Sequence, residues 1–271
     1  MPELPEVETV RSGLEPHLIG RKIRTVICHR QSLRYPLPDF APLTGQQIVA
    51  VNRRSKYLLF VLERGQTLVW HLGMTGQFHL LPGLNASGSH EHVCIALSDG
   101  QSLRYRDARR FGYAGLIDSA ELLEHPWFSA LGPEPLSDDF SGDSLAAACR
   151  GRKAPIKTVI MDAANVVGVG NIYAAESLFR AGIHPARAAG NISRKRLVLL
   201  TAAIKQVLQE AIAAGGSTIS DFVKADGKPG YFSHSFQVYG RTGEPCLRCG
   251  KGIKRITQAG RSSFYCPSCQ R

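Results

Sequence analysis

Apolar positions recur along this 271-residue chain in two different rhythms, and the change of rhythm divides it. Near the start Val7, Val10, Leu14 and Leu18 fall at spacings of three and four, so residues 5–19 are predicted to form an amphipathic helix ended by Gly20. From Lys22 to about Ile117 the pattern turns to short runs of Val, Ile, Leu and Tyr: Ile48–Val51, Tyr57–Leu62, Thr67–Leu72, Val93–Leu97 and Leu103–Arg106, with Gly, Asn or Asp between them. Such runs favour a β-sandwich or barrel. A stretch rich in Pro, Asp, Ser and Gly, Gly132–Ser144, reads as a linker. Helical spacing then returns over 144–150, 155–164, 171–181 and 193–214, the last stopping at Gly215 and Gly216. The expected fold is α+β and multidomain: a helix and β-sandwich over 1–131, a linker over 132–143, a helical domain over 144–236 and a cysteine-bearing β-hairpin over 237–271.

Charge adds a partner to this outline. Lys and Arg number 33 against 22 Asp and Glu, a net +11 that points to a polyanion, with nucleic acid the leading candidate. No apolar run approaches the roughly 18 residues of a membrane span, and no lipidation motif is present. The opening Pro2, Glu3, Pro5 and Glu6 do not resemble a secretory signal, so a cytoplasmic protein is expected. Neither heptads nor an apolar interface stripe occurs, and a monomer is expected. Of seven cysteines, Cys28, Cys94 and Cys149 stand singly in apolar surroundings and are read as reduced and buried.

The other four cysteines carry chemistry. Cys246 and Cys249 are separated by two residues, Cys266 and Cys269 repeat that spacing, and sixteen residues lie between the pairs. This is the pattern of two knuckles closing one tetrahedral zinc site, against the alternative of two disulfides. Four thiolates leave no open coordination position, so the single zinc is structural and not the catalyst; no organic cofactor is expected. Arg241, Arg248, Lys251, Lys254, Arg255, Arg261 and Arg271 surround the knuckles with only Glu244 opposing them, a composition suited to phosphate contact.

Pro2-Glu3-Leu4-Pro5-Glu6 admits two readings. Proline in a first turn and carboxylates at the positive end of the macrodipole make a sound helix start. Alternatively, once Met1 is trimmed, Pro2 offers a secondary amine whose basicity is lowered by the helix end, a nucleophile that forms an obligatorily cationic iminium with a sugar. Glu3 beside it is then a candidate general acid.

Several motifs bear on that choice: PELPEVET at the N-terminus, Arg54-Ser55-Lys56-Tyr57, His71-Leu72-Gly73-Met74-Thr75-Gly76, Asp107-Ala108-Arg109-Arg110-Phe111-Gly112, Leu131-Gly132-Pro133-Glu134-Pro135-Leu136, Gly168-Val169-Gly170-Asn171-Ile172-Tyr173-Ala174, Asp226-Gly227-Lys228-Pro229-Gly230-Tyr231-Phe232 and the finger. In these motifs and their order the chain resembles the formamidopyrimidine-DNA glycosylase family over essentially its whole length. The resemblance implies a β-sandwich, a helix-two-turn-helix domain and a zinc finger, with DNA between the halves. It implies excision of oxidised purines (8-oxoguanine and formamidopyrimidines) from duplex DNA in base excision repair, then β,δ-elimination at the abasic site, on bacterial nucleoid DNA. Residue by residue it implies Pro2 as Schiff-base nucleophile, Glu3 as general acid, Lys56 for the first elimination and Arg261 for the second. It also implies Met74, Arg109 and Phe111 as the residues that fill the space left by an everted base, and phosphate contacts from His90, Arg109, Arg152, Lys157 and Asn171. Read by themselves, Lys56 is an ordinary solvated lysine and Met74 and Phe111 are core residues; His92 offers the same chemistry as His90 two positions on. Ala108 stands where the family has proline, and the run around Arg152 is less lysine-rich than the family's. The nearest alternative is the sister enzyme endonuclease VIII, which prefers oxidised pyrimidines; a non-catalytic zinc-ribbon DNA-binding protein is the other. The N-terminal string, the Arg109–Phe111 loop and the Ser217–Phe232 stretch, read as a lid over an everted purine, favour the purine enzyme.

Overall fold

The computed structural model describes residues 2–84, 88–217 and 232–271. The chain forms two compact units, Met1–Ser129 with Ala214–Tyr231, and Ala130–Ala213 with Phe232–Arg271.

In the first unit, α1 (Leu4–Leu18) begins with Pro5 in its first turn and ends at Ile19. Its Leu4, Val7, Val10, Leu14 and Leu18 are buried as the spacing requires. The strands are β1 (Ile23–Cys28), β2 (Ile48–Arg54), β3 (Tyr57–Leu62), β4 (Gln66–His71), β5 (Gln77–Pro82), β6 (Glu91–Leu97), β7 (Gln101–Arg106) and β8 (Tyr113–Asp118). They make two antiparallel sheets, ordered β1-β6-β7-β5 and β2-β3-β4-β8. The inward positions of both sheets and the apolar face of α1 form one core, centred on Phe60, Trp70, Phe78 and Tyr105. The Trp70 ring lies 5.1 Å from Phe78 and 4.7 Å from Tyr105.

The runs picked out by apolar content correspond to β2, β3, β4, β6 and β7. They do not single out β1, β5 and β8, three of the four edge strands; the fourth, β2, is marked because its Ile48 and Val51 are buried in the core. An edge strand keeps one side in water and so mixes polar with apolar residues, as β1 does with only Ile23 fully buried. The same position corrects the reading of Cys28, which is exposed at the end of β1, whereas Cys94 and Cys149 are buried.

The second unit holds α2 (Gly142–Cys149), α3 (Ile156–Met161), α4 (Asn171–Arg180), α5 (Arg194–Ala213) and the hairpin β9 (Lys254–Gln258) and β10 (Arg261–Tyr265). The helix expected over 155–164 is shorter because Asp162 folds back, its Oδ1 accepting the Ala164 amide at 3.0 Å. The finger shares a core with the helices: Ala175 and Phe179 of α4 pack with Val238, Cys246, Ile253 and Cys266. Glu176, buried beside them, accepts the amides of Gln237, Val238 and Tyr239 at 2.9, 3.0 and 2.8 Å. No helix among the described residues is long and apolar enough to cross a membrane.

Register aligns one end of the β2-β3-β4-β8 sheet: Tyr57 faces His71, and His71 faces Tyr113. His71 stacks on Tyr113 at 4.8 Å and 9°, and its Nδ1 accepts the Gly73 amide at 3.0 Å. Burial first, and then the charges of Lys56 and Arg34, push the imidazole down to about 4. Its folded pKa thus lies below the unfolded value near 6.5, so the stability contributed by the neutral ring is complete above about 6.5 and is lost as pH falls toward about 4. The ring nitrogens of His71 are expected to keep their neutral 15N shifts from pH 8 down to pH 5; titration near 6.5 in the native protein would contradict this.

Candidate active site and nucleic-acid interface

The N-terminal residues are held, not trailing. Pro2 is buried, Glu3 is the N-cap of α1, and Glu3 and Glu6 are 3% and 2% exposed. Glu6 Oε2 accepts the Glu3 amide at 2.8 Å, while its Oε1 accepts the Ser217 amide at 2.8 Å and the Ser217 hydroxyl at 2.9 Å. The direction of α1 follows from three contacts with β2 and its approach: Arg53 to Glu8 at 2.8 Å, Arg11 to the Val51 carbonyl at 3.2 Å, and the Gly20 amide to the Ile48 carbonyl at 2.9 Å. The helix therefore runs antiparallel to β2, and its N-terminus lies toward the β2–β3 turn. That turn is Ser55-Lys56, so Lys56 lies between strands, half-buried, after a Ser55 held at φ 55°. The macrodipole of α1 places partial positive charge toward Pro2, which disfavours a second cation there and lowers the basicity of an amine.

The same end of the sandwich carries two chain crossovers between sheets. The β4–β5 crossover holds Met74, and the β7–β8 crossover holds Arg109 and Phe111. Pairing of His71 with Tyr113 and of Gln77 with Arg106 sets the two crossovers side by side. Glu91 also pairs with Arg106, which brings His90 to this end. Met74 is half-buried, whereas Phe111 is 42% exposed with the Arg109 guanidinium 4.8 Å from its ring centre. His90 is exposed at φ 66°; His92 is buried and donates from Nε2 to the Asp107 carbonyl at 2.8 Å. Of the two histidines, only His90 faces solvent.

In the second unit Asn171 is the first residue of α4, after Gly168 at φ 78° and the N-cap Gly170. Lys157 is 1% exposed, and its ammonium donates to Asn171 Oδ1 at 2.5 Å, the Ser262 carbonyl at 3.0 Å and Ser263 Oγ at 2.7 Å. It joins Asn171 to the strand that begins with Arg261 and is itself withdrawn from the surface. Arg261 is exposed just past a turn whose Ala259 and Gly260 sit at φ 46° and 71°. Arg152 is exposed, its Nη2 3.4 Å from Asn165 Oδ1.

The sulfurs of Cys246, Cys249, Cys266 and Cys269 all lie within 4.8 Å of one another, with Cys246–Cys269 at 3.9 Å and Cys249–Cys266 at 3.5 Å. Zinc–sulfur bonds of about 2.3 Å in a tetrahedron require sulfur separations of about 3.8 Å. The amides of Arg248 and Cys269 each donate to a knuckle sulfur at 3.4 Å. The Lys251 amide brings the Cys249 thiol down to about 7, whereas burial raises Cys266 and Cys269, a set of acidities that a bound dication would pull toward four thiolates. The donor set fits one structural zinc.

Four non-glycine residues among those described have positive φ: Ser55, His90, Arg110 and Ala259. Each costs about 1–2 kcal/mol, and each is at, or within two residues of, a position that the motifs nominate. Motif reading did not single out Glu6, His71 or Asp107 as site residues, although all three lie inside quoted motifs. A carboxylate three residues after an N-cap is a capping signal for Glu6; nothing local marks the other two. Residues 218–231, the bulk of the expected lid, lie outside the described residues.

Residues 1–114 match the family model described as the formamidopyrimidine-DNA glycosylase N-terminal domain, residues 131–223 the formamidopyrimidine-DNA glycosylase H2TH domain, and residues 243–271 the zinc finger found in FPG and IleRS. A formamidopyrimidine-DNA glycosylase of Stenotrophomonas maltophilia is 52% identical over 273 residues, spanning 100% of both chains. The crystal structure of the MutM (Fpg) protein of Thermus thermophilus superposes with a TM-score of 0.90 at 40% identity, covering 99% of this chain and 98% of that one. Lactococcus lactis Fpg in complex with Fapy-dG-containing DNA gives a TM-score of 0.92 at 35% identity, over 99% and 100% of the two chains. With three family regions matched in order and a relative this similar over its full length, the chain belongs to the formamidopyrimidine-DNA glycosylase family.

Proposed function

We propose that this chain is a bifunctional DNA glycosylase and abasic-site lyase of base excision repair that removes 8-oxoguanine and formamidopyrimidines from duplex DNA through a Schiff base on Pro2. The observation that carries the reading is the buried Pro2-Glu3 pair at the positive end of α1, at the same end of the sandwich as Lys56 and the two crossovers.

After Met1 is removed, the Pro2 nitrogen attacks C1′ of the damaged nucleotide as the bond to the base breaks, and the base leaves with the bonding pair and the proton that the amine gives up. Glu3 protonates O4′ as the sugar opens, and the iminium that results remains cationic because the amine is secondary. That cation accepts the electron pair released when a proton leaves C2′, and the 3′ phosphate then departs with the C3′–O bonding pair; a second elimination expels the 5′ phosphate. Lys56 serves the first elimination and Arg261 the second. Met74, Arg109 and Phe111 occupy the gap that base eversion opens in the stack. His90, Arg109, Arg152 and Asn171 meet phosphates, and Lys157 supports Asn171 from beneath. The zinc holds the finger's fold and takes no part in bond making. A duplex substrate places the protein on chromosomal DNA in the cytoplasm.

Blocking the Pro2 nitrogen, by keeping Met1 attached, is expected to abolish borohydride trapping on 8-oxoguanine duplexes while binding stays within about threefold; unaltered trapping would refute the nucleophile. Mass spectrometry of active protein is expected to show Pro2 as the first residue. Excision should be faster from 8-oxoguanine than from thymine glycol duplexes, and the reverse order would favour an endonuclease VIII-like preference. Chelation of zinc, or Cys266→Ser, is expected to weaken duplex binding and to flatten its dependence on log salt by about 0.9 for each phosphate that the finger no longer neutralises. An unchanged slope would remove the finger from the interface.

A further inference from the structure

The two crossovers that carry Met74, Arg109 and Phe111 are tied together by one buried side chain that has no place in the proposed chemistry. Asp107 is fully buried, and both of its carboxylate oxygens are occupied. Oδ2 accepts the Gly112 amide at 2.8 Å and the Tyr105 hydroxyl at 3.2 Å. Oδ1 accepts the Thr75 hydroxyl, next to Met74, and the Arg109 amide at 3.3 Å. Thr75 Oγ1 in turn accepts the same Arg109 amide at 3.1 Å, so the two loops are cross-linked directly as well as through the carboxylate.

The Asp107 main chain extends the link to a third candidate residue. Its amide donates to the His90 carbonyl at 3.0 Å, and its carbonyl receives the buried His92 ring. Packing leaves no slack around these bonds. A Cβ at Gly73 would collide with the Phe111–Gly112 backbone, and one at Gly76 or Gly112 with the Tyr105 hydroxyl. Burial and the neighbouring Asp107 both hold the Tyr105 hydroxyl in its protonated, donating form.

Resting on the glycosylase reading above, we infer that Asp107 is a positioning residue that locks the Met74 and Arg109–Phe111 loops, and His90 with them, into one rigid wedge assembled before DNA arrives. The donors it satisfies are neutral hydroxyls and backbone amides, so its effect is geometric: it fixes the separation of the inserting side chains. Three flexible side chains would each have to be ordered when the base is everted, whereas a preassembled wedge is ordered already. Excision of a stacked lesion depends on that wedge. Lyase action on a preformed abasic site, where no base has to leave the stack, depends on it far less.

Asp107→Asn tests this. The amide has one acceptor oxygen, so its NH2 faces either the Gly112 N–H, which loses its acceptor, or the Thr75 hydroxyl and Arg109 N–H, of which the hydroxyl loses its acceptor and the amide keeps only Thr75 Oγ1. Thr75→Val removes only the hydroxyl bridge and leaves the buried carboxylate in place. Excision of 8-oxoguanine from a duplex is expected to fall by roughly tenfold to a hundredfold in Asp107→Asn and by a few-fold in Thr75→Val, while strand cleavage at a preformed abasic site stays within about twofold for both. With 2-aminopurine beside the lesion, the fluorescence rise that reports unstacking should slow in step with excision. Should Asp107→Asn fail to fold, Thr75→Val carries the test alone. Wild-type excision rates in both variants, or parallel loss on both substrates without a change in the fluorescence step, would overturn the inference. Failure of the wild-type protein on both substrates would instead overturn the proposed function.

Discussion

Antiparallel strand register is the constraint on which the first unit depends. Tyr57 faces His71, His71 faces Tyr113, and Arg106 faces both Gln77 and Glu91, so strand ends from both sheets meet at one end of the sandwich. The Ser55-Lys56 turn, the β4–β5 and β7–β8 crossovers and His90 are attached to those ends and have no other place to go. A shift of one residue in any of these pairings would turn the strand's side chains to the opposite face. The core of Phe60, Trp70, Phe78 and Tyr105 forbids such a shift, because each would exchange burial for water. Packing around Trp70 thereby positions residues on loops that lie beyond the core.

The loops themselves are built on different physics. They gather at sites where the backbone is strained, with Ser55, His90 and Arg110 all at positive φ. Strain of this kind persists only when neighbouring interactions over-determine it. Here they are polar: Asp107 receives four donors, Gly73 and Gly112 meet backbone to backbone, and His71 accepts the Gly73 amide. Asp107 is fully buried, so each unmade bond to it would cost about 1–3 kcal/mol, comparable to the strain it opposes.

In the second unit the finger is an extension of the helices. Cys246 and Cys266 are zinc ligands and core residues together, packed on Ala175 and Phe179. Glu176 holds the approach to the first knuckle, Gln270 links the Cys266 amide to the Ile183 carbonyl, and Lys157 bonds to the hairpin next to Arg261. Metal binding and helix packing therefore reinforce one another, and Asn171 and Arg261 are registered to the same buried ammonium.

Much of this was legible in the residues. Helical spacing marked α1 and α5, apolar runs marked the four interior strands and β2, and the cysteine spacing specified the zinc site, because each is a local pattern written by burial or by coordination geometry. The edge strands β1, β5 and β8 escape, since one-sided burial leaves a weak pattern, and Cys28 at the end of β1 is exposed for the same reason. The resemblance makes Lys157 a phosphate contact and Asp107 one letter of a motif; only the folded chain shows the first sunk beneath Asn171 and the second at the junction of two loops 32 residues apart. The sequence by itself determined which segments are helix, strand and metal knuckle. Tertiary structure decided which ends coincide and which polar groups are buried, because register and desolvation are properties of pairs of distant segments, and no single segment carries the information about its partner.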